Sequence, residues 1–328
     1  MTRKEKERKE YRQYKKGYYH LSTDGWKKGL LFNTTSQYAY GMILIGLLTL
    51  RFDIRIYSFA LMRNHVHILL SGTGEQSVNA FEYLKRKINT RLRKDGYPAL
   101  PEDYWFKMVP IEDKEQMKRD FIYIDRNAYE VELSVPCGYV WSSGYLHFSQ
   151  IGKYISAPRA DSLSKRKLER LTGSRTPIPG HWKVHPELGL LPESFVDNTL
   201  FYRLFKSVKD YETHLVKDYE SHVRIAHTLG EKVVFSQDEA HDIAEQIVQG
   251  IFPGRTLSNL SRDEKAQVSV TMSQYYDIPI DLISITLKIS EHLVNQFLRS
   301  KDYGKKAADI TVHHSSAYPM QVSPNTQL

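Results

Sequence analysis

At residues 64–70 the chain carries the stretch NHVHILL, which sets His65 and His67 two residues apart within a segment typical of a β-strand. Successive side chains of a strand alternate between its faces, so the histidines lie on one face and the aliphatic residues at 66, 68 and 70 on the other. Two adjacent imidazoles above an apolar floor can hold one divalent ion. A His-x-His pair is weak evidence alone, because many strand histidines are only hydrogen-bonded. The stretch predicts a strand, and a metal site if a further segment completes it.

A second informative segment is DKEQMKRDFIYIDRN at residues 113–127. Asp113 and Gln116 are spaced as in a capping box, which predicts the start of a helix. Apolar residues recur at helical spacing and predict its buried stripe: Met117, Phe121, Ile124 and Ala128. At about 100° per residue, Tyr123 falls roughly 140° from the middle of that stripe. Tyr123 and Asn127, four residues apart, then share one face.

Two interpretations of Tyr123 and Asn127 are open. Taken alone, they are a surface tyrosine beside a surface asparagine. Together with His65 and His67, they suggest one site in which a metal polarises a phosphate and the tyrosine attacks it.

The combination of these segments resembles the single-tyrosine HUH transposases, and in particular the REP-associated tyrosine transposases. HVH at 65–67, followed after a basic helix by YIDRN at 123–127, carries the likeness. Further stretches agree with the family's first strand, its run into the metal strand and its closing Trp-Ser-Ser-Tyr element: YYHLST at 18–23, YSFALMRNH at 57–65 and VWSSGY at 140–145. The resemblance covers about residues 16–148. It departs from the family at NAYEV (127–131), where Asn-Pro-Val-Arg-Ala-Gly is usual, and at the inserted Gly144.

The resemblance implies an α+β domain of ferredoxin-like arrangement with an antiparallel sheet over residues 17–148. It implies that His65 and His67 hold Mg²⁺ or Mn²⁺, with Asn127 as third ligand or ligand-orienting group. Tyr123 would attack single-stranded DNA and form a 5′-phosphotyrosyl intermediate, and the substrate would be a palindromic repeat folded as a hairpin. Tyr129 is the rival nucleophile, but it lies near the end of the helix and lacks an amide four residues on.

Two other functions compete with this hypothesis. One is a DNA-binding regulator whose first domain is catalytically silent. The other is a metal-dependent phosphodiesterase that uses water, with Tyr123 as a bystander.

The composition agrees with a nucleic-acid partner. The 328 residues carry a net charge of +8, which favours a polyanion. The single cysteine, Cys137, excludes an internal disulfide and a cysteine-rich zinc module and fits a reducing cytoplasm. The charged N-terminus predicts no secretory signal, and the apolar run at 40–50 is too short to span a bilayer and predicts a buried helix. A homodimer and a monomer are both compatible with the sequence.

Basic segments supply the candidate DNA-backbone contacts. Residues 1–16 hold eight Lys or Arg against three Glu and predict a flexible basic arm. A helix predicted over 77–94 carries six cations on its exposed side: Lys85, Arg86, Lys87, Arg91, Arg93 and Lys94. We expect these six to contact DNA phosphates, although a solvated charged face is the usual role of such a run. The other elements predicted in this domain are strands at 17–23, 29–33, 53–61, 64–71 and 104–109, and helices at 36–50 and 113–129.

Beyond residue 148 the composition changes. A basic Pro/Gly/Ser-rich linker with one short helix is predicted over 149–196, a helical region over 197–303, and a disordered tail over 304–328. Within the helical region, 261–300 has helix-turn-helix patterning, with Lys288 in place of the usual turn glycine. The outward side of its last helix offers four side chains to the major groove: His292, Asn295, Gln296 and Arg299. A plain helical bundle can give the same pattern, but we expect this segment to bind duplex DNA.

Overall fold

Four strands form one antiparallel sheet in a computed structural model that describes residues 3–23, 29–130, 138–147, 155–217, 219–230, 235 and 237–300. The strands are β1 (Gly17–Thr23), β2 (Arg55–Leu61), β3 (Val66–Gly72) and β4 (Phe106–Ile111), in the spatial order β2-β3-β1-β4. His67 pairs with Ser22 of β1 and with Ala60 of β2, so it lies on an inner strand. The predicted α+β class with an antiparallel sheet is confirmed. Cys137 and the tail 304–328 fall outside the described residues.

The chain divides into two units, Met1–Lys217 and Asp218–Leu328. The first contains the sheet and the helices α1 (Arg3–Arg12), α2 (Thr35–Phe52), α3 (Gly74–Lys94), α4 (Lys114–Arg126), α5 (Lys165–Thr172), α6 (Thr199–Leu204) and α7 (Val208–Lys217). The second contains α8 (Tyr219–Leu229), α9 (Gln237–Ile251), α10 (Arg262–Tyr276), α11 (Ile280–Leu287) and α12 (Glu291–Arg299).

The two faces of the sheet carry different layers. Val66, Ile68 and Leu70 belong to a core shared with α2 and α3. Leu69, on the opposite side of β3, belongs to a second core with α4, α6 and α7. Because side chains two apart share a face, His67 points toward α4. The alternation in NHVHILL therefore decides which helix the histidines meet.

The helices begin and end where local chemistry favours it. The side chains of Thr34, Thr73 and Asp113 accept backbone N–H groups at the first turns of α2, α3 and α4. The predicted apolar stripe of α4 is buried, from Met117 to Ala128. The apolar run at 40–50 lies within α2 and is largely buried. None of the described helices is long and apolar enough to cross a membrane.

The strand predicted at 29–33 is wrong. Leu31 and Phe32 are buried, but their backbone N–H groups donate to the carbonyl oxygen of Arg63 rather than to a strand ladder. Their hydrophobicity reflects a loop that covers the core.

Residues 3–12 of the predicted flexible arm form α1, which packs along α3. Arg8 pairs with Glu82 of α3, and Arg12 donates to Asn79 over 3.0 Å. Tyr11 is buried beside Phe106, and desolvation raises its pKa to about 12. One buried aromatic ring and two contacts with α3 therefore tether a segment whose composition is typical of a solvated tail.

The described part of the predicted linker, 155–196, is also packed into the first unit. It contains the expected short basic helix, α5, and the hairpin β5 (Val184–His185) and β6 (Gly189–Leu190). Trp182, Val184 and Leu190 are buried in the core that α2 forms with the sheet. A sparse set of apolar side chains is enough to dock this segment.

In the second unit, α11 and α12 are joined by a short turn and pack on α10. Lys288 adopts the left-handed conformation, with φ 51° and ψ 54°, at the position where glycine is usual. Ser290 caps α12 by accepting the backbone N–H of Leu293.

Gly189 is the position where the docked hairpin depends most on glycine. Its φ is +78°, and a Cβ there would overlap the carbonyl oxygen of Ala39 in α2. We expect Gly189→Ala to lower the free energy of unfolding by roughly 2–5 kcal/mol, from left-handed strain plus backbone displacement. Gly96→Ala is the matched control, because Gly96 has φ +80° with nothing within 4 Å of a Cβ. It should cost only about 1–2 kcal/mol in chemical denaturation. Equal losses in the two variants would contradict the docking argument.

Candidate functional site

His65, His67, Tyr123 and Asn127 lie together on the face of the sheet that α4 covers. The ring centroids of His65 and His67 are 4.8 Å apart, and those of His67 and Tyr123 are 5.4 Å apart. Nε2 of His65 lies 3.2 Å from Oδ1 of Asn127. All four side chains are buried, with Tyr123 only 3% exposed. The interpretation of Tyr123 and Asn127 as a surface pair is therefore wrong.

The backbone of α4 orients the amide of this cluster. Tyr123 and Asn127 occupy successive turns, and Nδ2 of Asn127 donates to the carbonyl oxygen of Tyr123 over 2.9 Å. That hydrogen bond fixes the orientation of the Asn127 amide, because only its nitrogen can donate to a carbonyl oxygen. Its Oδ1 therefore faces His65. Asn127 begins a 3₁₀ turn, Asn127–Glu130, at the end of α4.

The surroundings of His65 suit a cation. Its Nδ1 lies 2.8 Å from Oδ1 of Asn64, and its Nε2 faces Oδ1 of Asn127. A neutral imidazole carries one N–H, so it can donate to only one of these oxygens. When Nδ1–H donates to Asn64, the lone pair of Nε2 faces the oxygen of Asn127. A cation placed between these two atoms would be bound by both electron pairs.

The spacing of those two atoms agrees with such an ion. Two ligands at about 2.1 Å from an octahedral cation, at right angles, lie about 3.0 Å apart. The observed separation of 3.2 Å is close to this value. Among the described residues, no three His, Cys, Asp or Glu side chains form a metal-binding group. Two histidines would therefore need an amide or substrate oxygen to complete the coordination.

Two further buried residues extend the cluster and were not predicted. Nε2 of His20, on β1, lies 3.1 Å from Nδ1 of His67, and Nδ1 of His20 lies 2.5 Å from Oδ1 of Asp120. His20 is 0% and Asp120 3% exposed. Helical spacing could have revealed Asp120, because it is three residues before Tyr123 and seven before Asn127. Predicting that His20 lies in the cluster requires the strand register. That register pairs His20 with Leu69, two residues beyond His67 and on the same face of the sheet.

Tyr129, the rival nucleophile, falls within the 3₁₀ turn after α4. Its side chain lies outside the described part of the structure.

The opposite side of α4 is held by α6, α7 and His147. Asp125 lies 2.5 Å from Nδ1 of His147 and accepts the hydroxyl of Tyr211 over 2.7 Å. The ring of His147 stacks on Phe201 with centroids 3.8 Å apart. A buried carboxylate between two donors and a stacked ring fixes the rotation of α4 about its axis. That rotation decides where Tyr123 points.

The six predicted DNA-binding cations lie on α3, across the sheet from the histidines. Two contact the chain itself: Lys85 donates to the carbonyl oxygens of Glu102 and Tyr104, and Arg91 pairs with Asp95. Four remain on the outer surface, the first two beside the ring of Tyr83: Arg86, Lys87, Arg93 and Lys94. The α3 cations and the histidine cluster therefore cannot contact the same phosphate.

The predicted major-groove residues are on the outer side of α12. His292, Gln296 and Arg299 are exposed and Asn295 is half-buried. Gln296 and His292 are hydrogen-bonded to each other over 3.1 Å, and Asn295 donates to the carbonyl oxygen of Glu291. Within the second unit these side chains form one polar surface.

Comparisons with known proteins give one distant likeness. No family model matches the chain, and no curated protein matches it. A solved structure described as "Structure of the REP associates tyrosine transposase bound to a REP hairpin" is similar, with a TM-score of 0.34 and 13% sequence identity. The match covers 44% of this chain and 86% of that chain. A likeness of this size supports no conclusion about fold or function.

The polar anchor behind α4 makes a testable contribution to stability. We expect Tyr211→Phe to lower the free energy of unfolding by roughly 1.5–3 kcal/mol, because it removes a buried hydrogen bond to a carboxylate. Tyr202→Phe is the matched control: Tyr202 also donates from its hydroxyl, to Leu146, but it is 50% exposed. It should change stability by less than about 0.5 kcal/mol. Urea unfolding measures both, and similar losses would show that the hydrogen bond from Tyr211 to Asp125 does not help to anchor the helix.

Proposed function

We propose that the first unit is a ferredoxin-like HUH domain that cleaves single-stranded DNA and transfers the strand through Tyr123. The element order β1-α2-β2-β3-α3-β4 and the sheet order β2-β3-β1-β4 support this arrangement. The observation that carries the proposal is the cluster of His65, His67, Tyr123 and Asn127. A phenol can act as the nucleophile in phosphoryl transfer, and two imidazoles beside it can hold the cation that polarises the phosphate.

In this proposal His65, His67 and Asn127 hold Mg²⁺ or Mn²⁺. The bound cation would polarise a non-bridging oxygen of the scissile phosphate. The amide oxygen suits both ions, the two imidazole nitrogens favour Mn²⁺ over the harder Mg²⁺, and three protein ligands leave positions for substrate oxygens.

The reaction conserves the energy of the phosphodiester. The Tyr123 hydroxyl attacks phosphorus, an Oη–P bond forms, and the P–O3′ bond breaks. The phenolic proton is balanced by protonation of the leaving 3′ oxygen. The products are a 5′-phosphotyrosyl strand and a free 3′-OH. Attack by another 3′-OH reverses the same chemistry and joins a new strand.

Burial of Tyr123 favours strand transfer over hydrolysis. With 3% of this residue exposed, a phosphotyrosyl link formed at the same position would be shielded from bulk water. A phosphodiesterase that uses water needs a solvent molecule delivered in line with the scissile bond. The competing hydrolase therefore has less support from the geometry.

The substrate we propose is a palindromic repeat folded as a hairpin, as the family resemblance implies. The exposed cations of α3 lie on the far side of the sheet from Tyr123. They would bind backbone phosphates remote from the scissile one, such as those of a hairpin stem.

For the second unit we propose duplex binding by the helix-turn-helix segment. The exposed polar surface of α12 and the tight turn at Lys288 support it. The same observations keep a second candidate function, a catalytically silent DNA-binding regulator. The burial of Tyr123 favours that candidate if the site never opens.

A cleavage assay separates these functions. We expect the chain, with Mn²⁺ and a 3′-labelled hairpin oligonucleotide, to form a labelled covalent adduct that survives denaturing electrophoresis. Tyr123→Phe should abolish the adduct, because the new bond is to its hydroxyl, and Tyr129→Phe should retain it. His65→Ala and chelation of the metal should also abolish it. Cleaved product without adduct would indicate the hydrolase, and binding without cleavage the regulator.

Duplex binding by α12 has its own test. We expect Arg299→Ala to weaken binding to a cognate duplex by about 1–3 kcal/mol, the value of a good base contact. The matched control is Arg262→Ala, which removes an exposed arginine from the start of α10. Fluorescence anisotropy at fixed salt compares the two. An equal, sequence-independent loss would show that charge alone, rather than α12, determines binding.

A further inference from the structure

Three buried side chains from three elements form a continuous hydrogen-bonded chain behind the histidine pair. Asp120 of α4 contacts Nδ1 of His20 over 2.5 Å, and Nε2 of His20 contacts Nδ1 of His67 over 3.1 Å. None of the three is more than 3% exposed. Such a chain can determine where the ring protons reside, because a hydrogen bond at one nitrogen of a neutral imidazole decides whether the other nitrogen carries a proton.

We infer that Asp120 and His20 are positioning residues that fix the tautomer of His67 and leave its Nε2 as the ligand nitrogen. The inference rests on the proposed function for the identity of the ion. It goes beyond that proposal by assigning a role to two residues that do not contact the ion or the substrate.

The first step is at His20. When His20 is neutral and Asp120 is ionised, the carboxylate can only accept a hydrogen bond, so their contact holds the proton of His20 on Nδ1. Its Nε2 is then an acceptor. In a site this buried, the opposite tautomer would place a lone pair against the carboxylate and is strongly disfavoured.

The second step is at His67. Because Nε2 of His20 is an acceptor, the ring that faces it must donate, and the proton of His67 resides on Nδ1. The lone pair of His67 is then on Nε2, the nitrogen through which it would bind a cation. Metal-binding histidines generally donate their other N–H to a partner that raises ligand basicity. Here that partner is a second histidine backed by a carboxylate.

The Nδ1 atom of His65 is also held by a hydrogen-bond partner, but that partner is a neighbour in sequence. Its Nδ1 faces Oδ1 of Asn64, the preceding residue, over 2.8 Å. His67 lies on an inner strand, and its Nδ1 faces the neighbouring strand β1, where His20 is available. Both histidines thus have Nδ1 engaged, which orients both Nε2 atoms for ligation.

Asp120 also couples ligation to the docking of α4. The helix carries Asp120, Tyr123 and Asn127 on one face, at intervals of three and four residues. When this face packs on the sheet, Tyr123, Asn127 and Asp120 are all placed beside the histidines at once. A chain with α4 displaced would lose the tautomer of His67 as well as the nucleophile.

The test compares two substitutions of His20 in the full chain. His20→Phe keeps an aromatic ring but removes the acceptor for Nδ1 of His67. His20→Gln restores an acceptor oxygen without a ring. His181→Phe is the matched control, because it makes the same change at an exposed histidine outside the cluster. Nitrogen-15 NMR of the metal-free protein reports the tautomer of His67, and calorimetric titration with Mn²⁺ reports its affinity.

We expect Nδ1–H for His67 in the wild type and in His181→Phe, and loss of this single tautomer in His20→Phe. Mn²⁺ affinity should fall by roughly 10–100-fold in His20→Phe and recover in His20→Gln. A proton on Nε2 of His67 in the metal-free wild type would overturn the inference, and so would a wild-type tautomer in His20→Phe. Absence of Mn²⁺ binding by the wild type would instead reject the cation site of the proposed function. If His20→Phe failed to fold, the tautomer of His67 in the wild type would still test the inference, because a proton on its Nε2 would overturn it.

Discussion

The docking of α4 onto the sheet is the constraint on which the candidate site depends. This helix carries two buried carboxylates, Asp120 and Asp125, which reach His20 on one side and His147 on the other. A buried carboxylate without a partner is unfavourable by several kcal/mol, so any rotation that separated either pair would be strongly opposed. A shift of one residue, about 100°, would separate both. The two pairs therefore select one rotational setting, and that setting points Tyr123 at the histidines.

The sequence predicts the parts of this arrangement that follow from local periodicity. Alternation in NHVHILL gives the strand and the shared face of His65 and His67. Capping at Asp113 and the stripe from Met117 to Ala128 give α4 and its apolar side. Local periodicity does not predict that the polar side of α4 is buried. Asp120, Tyr123 and Asn127 have the composition of a solvated face, yet all three are buried. Asp120 is buried against His20, one hundred residues away in sequence, and such a pairing can be recognised only once the strand register is known.

The misassigned segments at 3–12 and 155–196 have a related cause. Both are rich in charge or in turn-forming residues, and such composition usually indicates solvent exposure. Docking in each case depends on a few well-placed contacts rather than on average hydropathy. Tyr11 packs beside Phe106, and Leu190 reaches α2 because Gly46 and Gly189 leave room for close approach. Average composition cannot reveal contacts that depend on where a single glycine lies in three dimensions.

The burial of Tyr123 would have two opposite effects on a reaction with DNA. A shielded Tyr123 would keep a phosphotyrosyl link from water, yet the same shielding excludes a scissile phosphate until side chains around α4 move. The energy for that movement has to come from DNA contacts outside the site, since an unreacted phosphate cannot reach the histidines first. Under the proposed function, the exposed cations of α3 would be suited to this role, because they are accessible before opening. Binding remote from the scissile bond would then be a condition for cleavage, and this would restrict cleavage to DNA that contacts α3.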